Sequence, residues 1–252
     1  MADDLTKKRY DLLDTIRGIT LVSMICFHTR WDLIHLFGRE SLLSPMASFL
    51  WQQSICWSFI LLSGFCWSLG KKRIRRGVIV LGGGLLVTLS TFVAFPDQPV
   101  LFGVLHMLGV SMLLLTLMEP LMKKVMPIVG LFLSFFLFYC FYNVSAGYFN
   151  LGVFGKISLP AAFYKNNGTA CLGFPGTDFY SSDYFPMLPW FFLFLCGYFF
   201  FRFVEGKEGF WQKLKGKIKG FDFLGKHSLI IYLLHQPVVY GLLMVWDFVG
   251  LG

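Results

Sequence analysis

The chain has 252 residues, of which 56% are hydrophobic and only 14% charged, and its mean hydropathy is +0.65. Soluble domains carry about 25% charged residues, so composition excludes a soluble globular domain and points to a polytopic membrane protein with no room for a sizeable extramembrane domain. The net charge of +8 does not indicate nucleic acid as a partner: the basic residues sit in short loops, and nothing resembles a base-reading module.

Seven apolar runs of spanning length follow one another, at about 12–36, 47–69, 77–95, 101–119, 127–143, 185–204 and 228–248. The expected fold is therefore all-α: one membrane helix bundle of about seven transmembrane helices over residues 1–252. Of the 22 Lys and Arg, 17 fall before run one or at and beyond the ends of runs two, four and six, four fall on the opposite side, and Arg17 lies inside run one. That asymmetry predicts a cytoplasmic N-terminus and an outer C-terminus. Lys7-Lys8-Arg9 reads as the inner flank of an uncleaved anchor, since the run behind it is too long and too polar for a signal peptide.

The first run, LLDTIRGITLVSMICFHTRWDLIHL, carries Asp14, Arg17, His28, Asp32 and His35. At about 100° per residue these fall within an arc of roughly 60°, and Asp14 and His28 lie about 21 Å apart along the axis. Ionisable groups at membrane depth face a bundle interior or a wet cavity, so this helix is expected to line a polar path. His28 and Asp32 are four apart, a spacing at which the carboxylate can hydrogen-bond the imidazole and raise its basicity. Asp14 and Arg17 can neutralise each other, or Arg17 can bind an anionic group entering from the cytoplasm, guanidinium being suited to phosphate.

Further along, Gly82-Gly83-Gly84 can allow close helix approach. The cluster from Lys71 to Arg76 is a topology signal that can also supply phosphate contacts through Arg75 and Arg76. The outer segment, about 144–184, is glycine-rich and ends in GTDFYSSDYFPMLPW. It reads as a cap over an outward cavity or as a surface loop. Two triplets, Asn143-Val144-Ser145 and Asn167-Gly168-Thr169, fit the glycosylation pattern. The inner stretch EGKEGFWQKLKGKIKG, with Phe210 and Trp211, suits contact with anionic lipid heads or a purely topological role. His35, His106 and His235 fall near the predicted outer ends of their runs, and His227 on the inner side. The six cysteines show neither a disulfide framework nor a metal spacing.

Asp14-x-x-Arg17-Gly18, with His28 fourteen residues after Asp14, resembles the first helix of the membrane acyltransferase superfamily, where a similar LDxxRG segment precedes a run ending in histidine. FILLSGFCWSLGKK, LFGVLHMLGV, DYFPMLPWFFLFLCGY and GKHSLIIYLLHQPV are similar to small bacterial relatives of the heparan-α-glucosaminide N-acetyltransferase catalytic domain. The resemblance runs from about Arg9 to Leu243. It implies a bacterial plasma-membrane enzyme that moves an acetyl (acyl) group from cytoplasmic acetyl-CoA to an amino sugar or another glycan at the outer face, with membrane lipids as surroundings, no metal, and homo-oligomerisation left open.

It also makes His28 the candidate catalytic histidine. Around it, Asp32, His235 and His106 are candidate catalytic partners, with His106, His235 or Tyr184 able to donate to a developing oxyanion. Arg17, Asp14, Arg75 and Arg76 are candidates for CoA binding. Asp183, Tyr184, Trp190 and His35 are candidates for acceptor binding. A small-molecule or lipid-linked transporter using the same polar path is the competing reading, although the repeated halves common in transporters are not evident. A non-catalytic scaffold would leave the intramembrane charges without a reason.

Overall fold

The structure, a computed structural model, describes residues 10–250; Lys7-Lys8-Arg9 lies outside them. The apolar runs become helices because backbone amides in lipid must be satisfied within the segment. The spanning helices are α1 (Asp11–His35), α2 (Pro45–Trp67), α3 (Arg73–Ala94), α4 (Val104–Met122), α5 (Pro127–Phe141), α6 (Met187–Val204) and, after two short helices α7 (Glu208–Lys213) and α8 (Phe221–Lys226), α9 (Ser228–Phe248). Seven are long and apolar enough to cross a membrane, α5 with the turn that extends it to Ala146. Proline opens α2 and α5, where its missing N–H costs no helix bond.

Helix α4 starts at Val104, later than its apolar run. Phe102 takes a left-handed φ of 54°, and Gly103 is extended, so the chain turns there instead of coiling. The tail of the outer segment fixes this turn: the Ser182 N–H donates to Pro99 O (3.1 Å), the Phe185 N–H to Phe102 O (2.9 Å), and the Leu101 N–H to Ser181 Oγ (2.9 Å).

The chain divides into two compact units, residues 60–206 and, for the described residues, 10–59 with 207–250. In the unit formed by the two chain ends, Leu21, Met24 and Ile55 make a core flanked by Trp51, Phe59, Leu224, Ile231 and Tyr232. The Trp51 indole donates to Ser23 Oγ at 2.8 Å. Helix α8 presses on α1 at backbone distance: a Cβ on Gly18 would lie 1.9 Å from Phe221 O, and one on Gly225 would lie 1.8 Å from Asp14 O. Only glycine at both positions permits this reciprocal crossing.

The inner basic stretch departs from the expectation of a lipid-facing surface. Trp211 is buried, its ring packed against Tyr10 in a tilted contact with centroids 4.8 Å apart. Leu214 is buried beside it, and its carbonyl accepts the Leu12 N–H at 3.2 Å. The indole has more apolar area to hide than the lysines around it, so α7 braces the foot of α1 and leaves Lys213, Lys215, Lys217 and Lys219 exposed.

In the other unit, α3 and α4 meet through Gly77 and Gly109, whose added Cβ atoms would strike Leu113 and the backbone of Leu81. Of the glycine triplet, Gly83 and Gly84 are buried and Gly82 is exposed. Gly64 and Gly197 repeat the reciprocal crossing: their Cβ atoms would meet Phe194 O at 2.0 Å and Leu61 O at 2.2 Å. Aromatic residues fill the rest of this core, among them Trp67, Phe194, Tyr198 and Phe199. The outer segment folds into short 3-10 turns and an antiparallel hairpin of β1 (Tyr148–Asn150) and β2 (Lys156–Ser158). The Tyr164 hydroxyl donates to Val144 O, and that of Tyr184 to Ala170 O at 2.6 Å. Outward, the helices present Leu85, Leu89, Phe132 and Phe136, each about half or more exposed, the distribution a bilayer demands.

Candidate functional site

Helix α1 sets His28 and Asp32 one turn apart, and α9 brings His235 and Gln236 against them. The imidazoles of His28 and His235 approach edge to face with centroids 5.0 Å apart. Asp32 is fully buried. Its partner is not His28: Gln236 Nε2 donates to Oδ1 at 2.8 Å and to Oδ2 at 2.9 Å. The helical spacing that puts His28 and Asp32 on one face does not force them together, and the amide across the seam offers the carboxylate both oxygens' worth of contact.

The tautomer of His235 follows from its surroundings. Nδ1 lies against the carbonyl oxygen of Tyr232. A carbonyl can only accept, so Nδ1 carries the proton and Nε2 carries the lone pair. That Nε2 is buried and has no hydrogen-bond partner among the described residues. In this form His235 accepts a proton; donation to an oxyanion requires the doubly protonated ring. Gln236 Oε1 is likewise buried without a partner among the described residues. Pro237 follows within the helix, and because it has no N–H, the Leu233 carbonyl cannot receive its α-helical bond. His235 and Gln236 thus bring two buried acceptor atoms to the α1–α9 seam.

Toward the N-terminal end of α1, Arg17 Nη1 meets Asp14 Oδ1 at 2.9 Å. Lys226 of α8 pairs with Asp222 at 2.9 Å and reaches Asp11 at 3.5 Å. The Lys226 ammonium, bonded to Asp222, holds that carboxyl below the ordinary range. At the other end of the helix, His35 is exposed, stacked on Trp31 at 4.4 Å, with Nδ1 at 2.9 Å from Trp31 O.

The remaining candidates belong to the unit of residues 60–206. His106 Nε2 lies 3.4 Å from Thr88 Oγ1. The Thr88 hydroxyl already donates to Val100 O at 2.6 Å, so the ring must be the donor and Nδ1 holds the lone pair. That nitrogen is buried and without a partner among the described residues. Asp183 accepts the Val104 N–H at 3.2 Å, capping the start of α4. Burial pushes its carboxyl up to about 6, against the lowering effect of that N–H. Burial also pushes the Tyr184 phenol up to about 12. Trp190 is buried among Phe138, Tyr142 and Phe185, a packing position. Arg75 is exposed, and Arg76 Nη1 contacts Cys66 O at 3.3 Å.

Sequence reasoning missed Gln236, although an amide between a histidine and a proline in the apolar run IIYLLHQPVV was a visible signal. It also missed Thr88, which nothing in its own stretch sets apart. Among the described residues no group of three or more His, Cys, Asp and Glu is placed to hold a metal ion.

Comparison with known proteins agrees with the motifs along the chain. The family described as "Heparan-alpha-glucosaminide N-acetyltransferase, catalytic" matches residues 9–237. Neither a curated protein nor a solved structure matches. Seven apolar helices together with this family make the protein an integral membrane protein. Matched over most of its length, the chain belongs to the heparan-alpha-glucosaminide N-acetyltransferase catalytic family.

Proposed function

We propose that the protein is a transmembrane acetyltransferase that takes an acetyl group from cytoplasmic acetyl-CoA and transfers it to an amino sugar or another glycan at the outer face of a bacterial plasma membrane. The observation that carries this reading is the imidazole pair of α1 and α9, in which the His235 ring lies 5.0 Å, centroid to centroid, from the His28 ring and keeps a buried Nε2 without a partner among the described residues. Acyl transfer from a thioester needs a base for the incoming N–H or O–H, or a nucleophile that holds the acyl group. One imidazole can act as base while the other holds or orients the acyl carbon. As the new bond forms, the C–S bond breaks, the electron pair leaves on sulfur, and the imidazolium returns its proton to the CoA thiolate. Arg17, with guanidinium donors beyond the one given to Asp14, is the residue proposed to bind the CoA phosphates. The charge asymmetry of the loops supports the cytoplasmic assignment of that end.

The test is incubation of purified protein with labelled acetyl-CoA and methyl α-glucosaminide, followed by mass spectrometry of protein and products. Labelled product is expected from the wild type, with a loss of at least about 100-fold in His28→Ala and His235→Ala and retained CoA binding. No CoA binding and no transfer would overturn the reading in favour of transport along the same polar path.

A further inference from the structure

We infer that Gln236 is a specificity-determining residue that makes the site an N-acylating rather than an O-acylating one. The inference rests on the acetyltransferase reading above. Gln236 cannot turn its amide over: both Asp32 oxygens lie within 2.9 Å of its Nε2, and the reversed amide would set oxygen against oxygen. Asp32 thus acts as a positioning residue, locking the amide so that Oε1 faces away from it. That Oε1 is buried and has no partner among the described residues, as is Nε2 of the neighbouring His235, whose tautomer makes it an acceptor too.

Two buried acceptors in consecutive residues demand two donor hydrogens from whatever occupies the seam. A neutral primary amine supplies them. One N–H is directed to His235 Nε2 and the other to Gln236 Oε1, leaving the nitrogen lone pair for the acyl carbon. When the C–N bond forms and the C–S bond breaks, the proton on the first N–H passes to His235 and from there to the departing thiolate. The second stays on nitrogen, bonded to Gln236, and becomes the amide hydrogen of the product. A hydroxyl has one hydrogen. Given to His235, it leaves Gln236 Oε1 buried and unsatisfied; given to Gln236, it leaves no base in contact. Sites built to hydrogen-bond a group discriminate strongly against analogues that lack it.

The experiment compares kcat/KM for methyl α-glucosaminide and methyl α-glucoside, identical except for the amine or hydroxyl at carbon 2, with acetyl-CoA as donor. In Gln236→Met, of similar length but without an acceptor oxygen, the amine-to-hydroxyl ratio should fall by about 10-fold or more, through loss on the amine arm. Asp32→Asn, whose amide can itself donate to Gln236 Oε1, should lower the ratio in the same direction and covers the case in which the methionine variant does not fold. A purely structural role would depress both arms equally and leave the ratio unchanged. Active enzyme with an unaltered ratio in the folded variants overturns this inference alone. Transfer to neither acceptor by the wild type overturns the acetyltransferase reading, and the inference with it.

Discussion

Replacing Gly225 by alanine tests whether the crossing of α8 on α1 supports the site. The added Cβ would sit 1.8 Å from the Asp14 carbonyl oxygen, where ordinary contact begins at 3.4 Å. The two backbones would have to separate by about 1.6 Å, because no side-chain rotation can move a helical carbonyl; overpacking of this kind costs about 1–3 kcal/mol or more. Alanine's helix propensity returns at most about 1 kcal/mol. A net loss of about 2 kcal/mol should lower the midpoint of thermal unfolding by about 4–8 °C in a chain of this length. Gly82 is the control, since a Cβ there meets nothing within 4 Å, so Gly82→Ala should be neutral or stabilising by up to about 1 kcal/mol. Because Asp14 carries both the obstructed carbonyl and the ion pair to Arg17, Gly225→Ala should also weaken CoA binding, measured by calorimetry on protein in detergent. Equal melting of Gly225→Ala and wild type would refute the close crossing.

Other expectations follow from the same packing and charges. Trp211→Ala should destabilise by about 3–5 kcal/mol, as loss of a buried tryptophan does, in a detergent melt; no change would mean that Trp211 faces lipid. Arg17→Ala should weaken CoA binding without altering the fold by circular dichroism, and unchanged affinity would remove Arg17 from the donor site. Asp183 should make stability depend on pH. Its folded carboxyl holds a proton up to about 6, against an ordinary 3.8, so the folded state binds more protons than the unfolded one in that window. Stability is therefore lost as pH rises between those values and is level above them. Asp183→Asn, which keeps an acceptor for Val104, should flatten this part of the midpoint-against-pH curve, and an unchanged slope would exclude Asp183 as its source. Labelling of Cys171 from the outer face alone is expected in oriented vesicles; cytoplasmic labelling would invert the topology.

The seven spans were readable from the sequence because hydropathy and length are local properties, and a helix in lipid satisfies its own backbone whatever its neighbours do. The polar face of α1 was readable for the same reason: a period of 3.6 needs no knowledge of the partner helix. The choice among the groups on that face was not. Asp32 takes Gln236, 204 residues away, over His28 one turn away, because the rotamer that serves a buried carboxylate is set by what lies across the seam. The proton on His235 was equally invisible, being decided by a backbone carbonyl of its own helix once the ring's rotamer is fixed. Trp211 shows the limit of composition: surrounded by lysines it reads as a surface residue, and only the position of Tyr10 gives its indole somewhere to go. Gly18 and Gly225 are ordinary glycines in sequence, and their meaning appears only when two backbones come within a carbonyl's radius of each other. Periodicity and hydropathy dictate which faces are buried; which atoms then meet depends on the approach of segments far apart in the chain, and that only the tertiary structure decides.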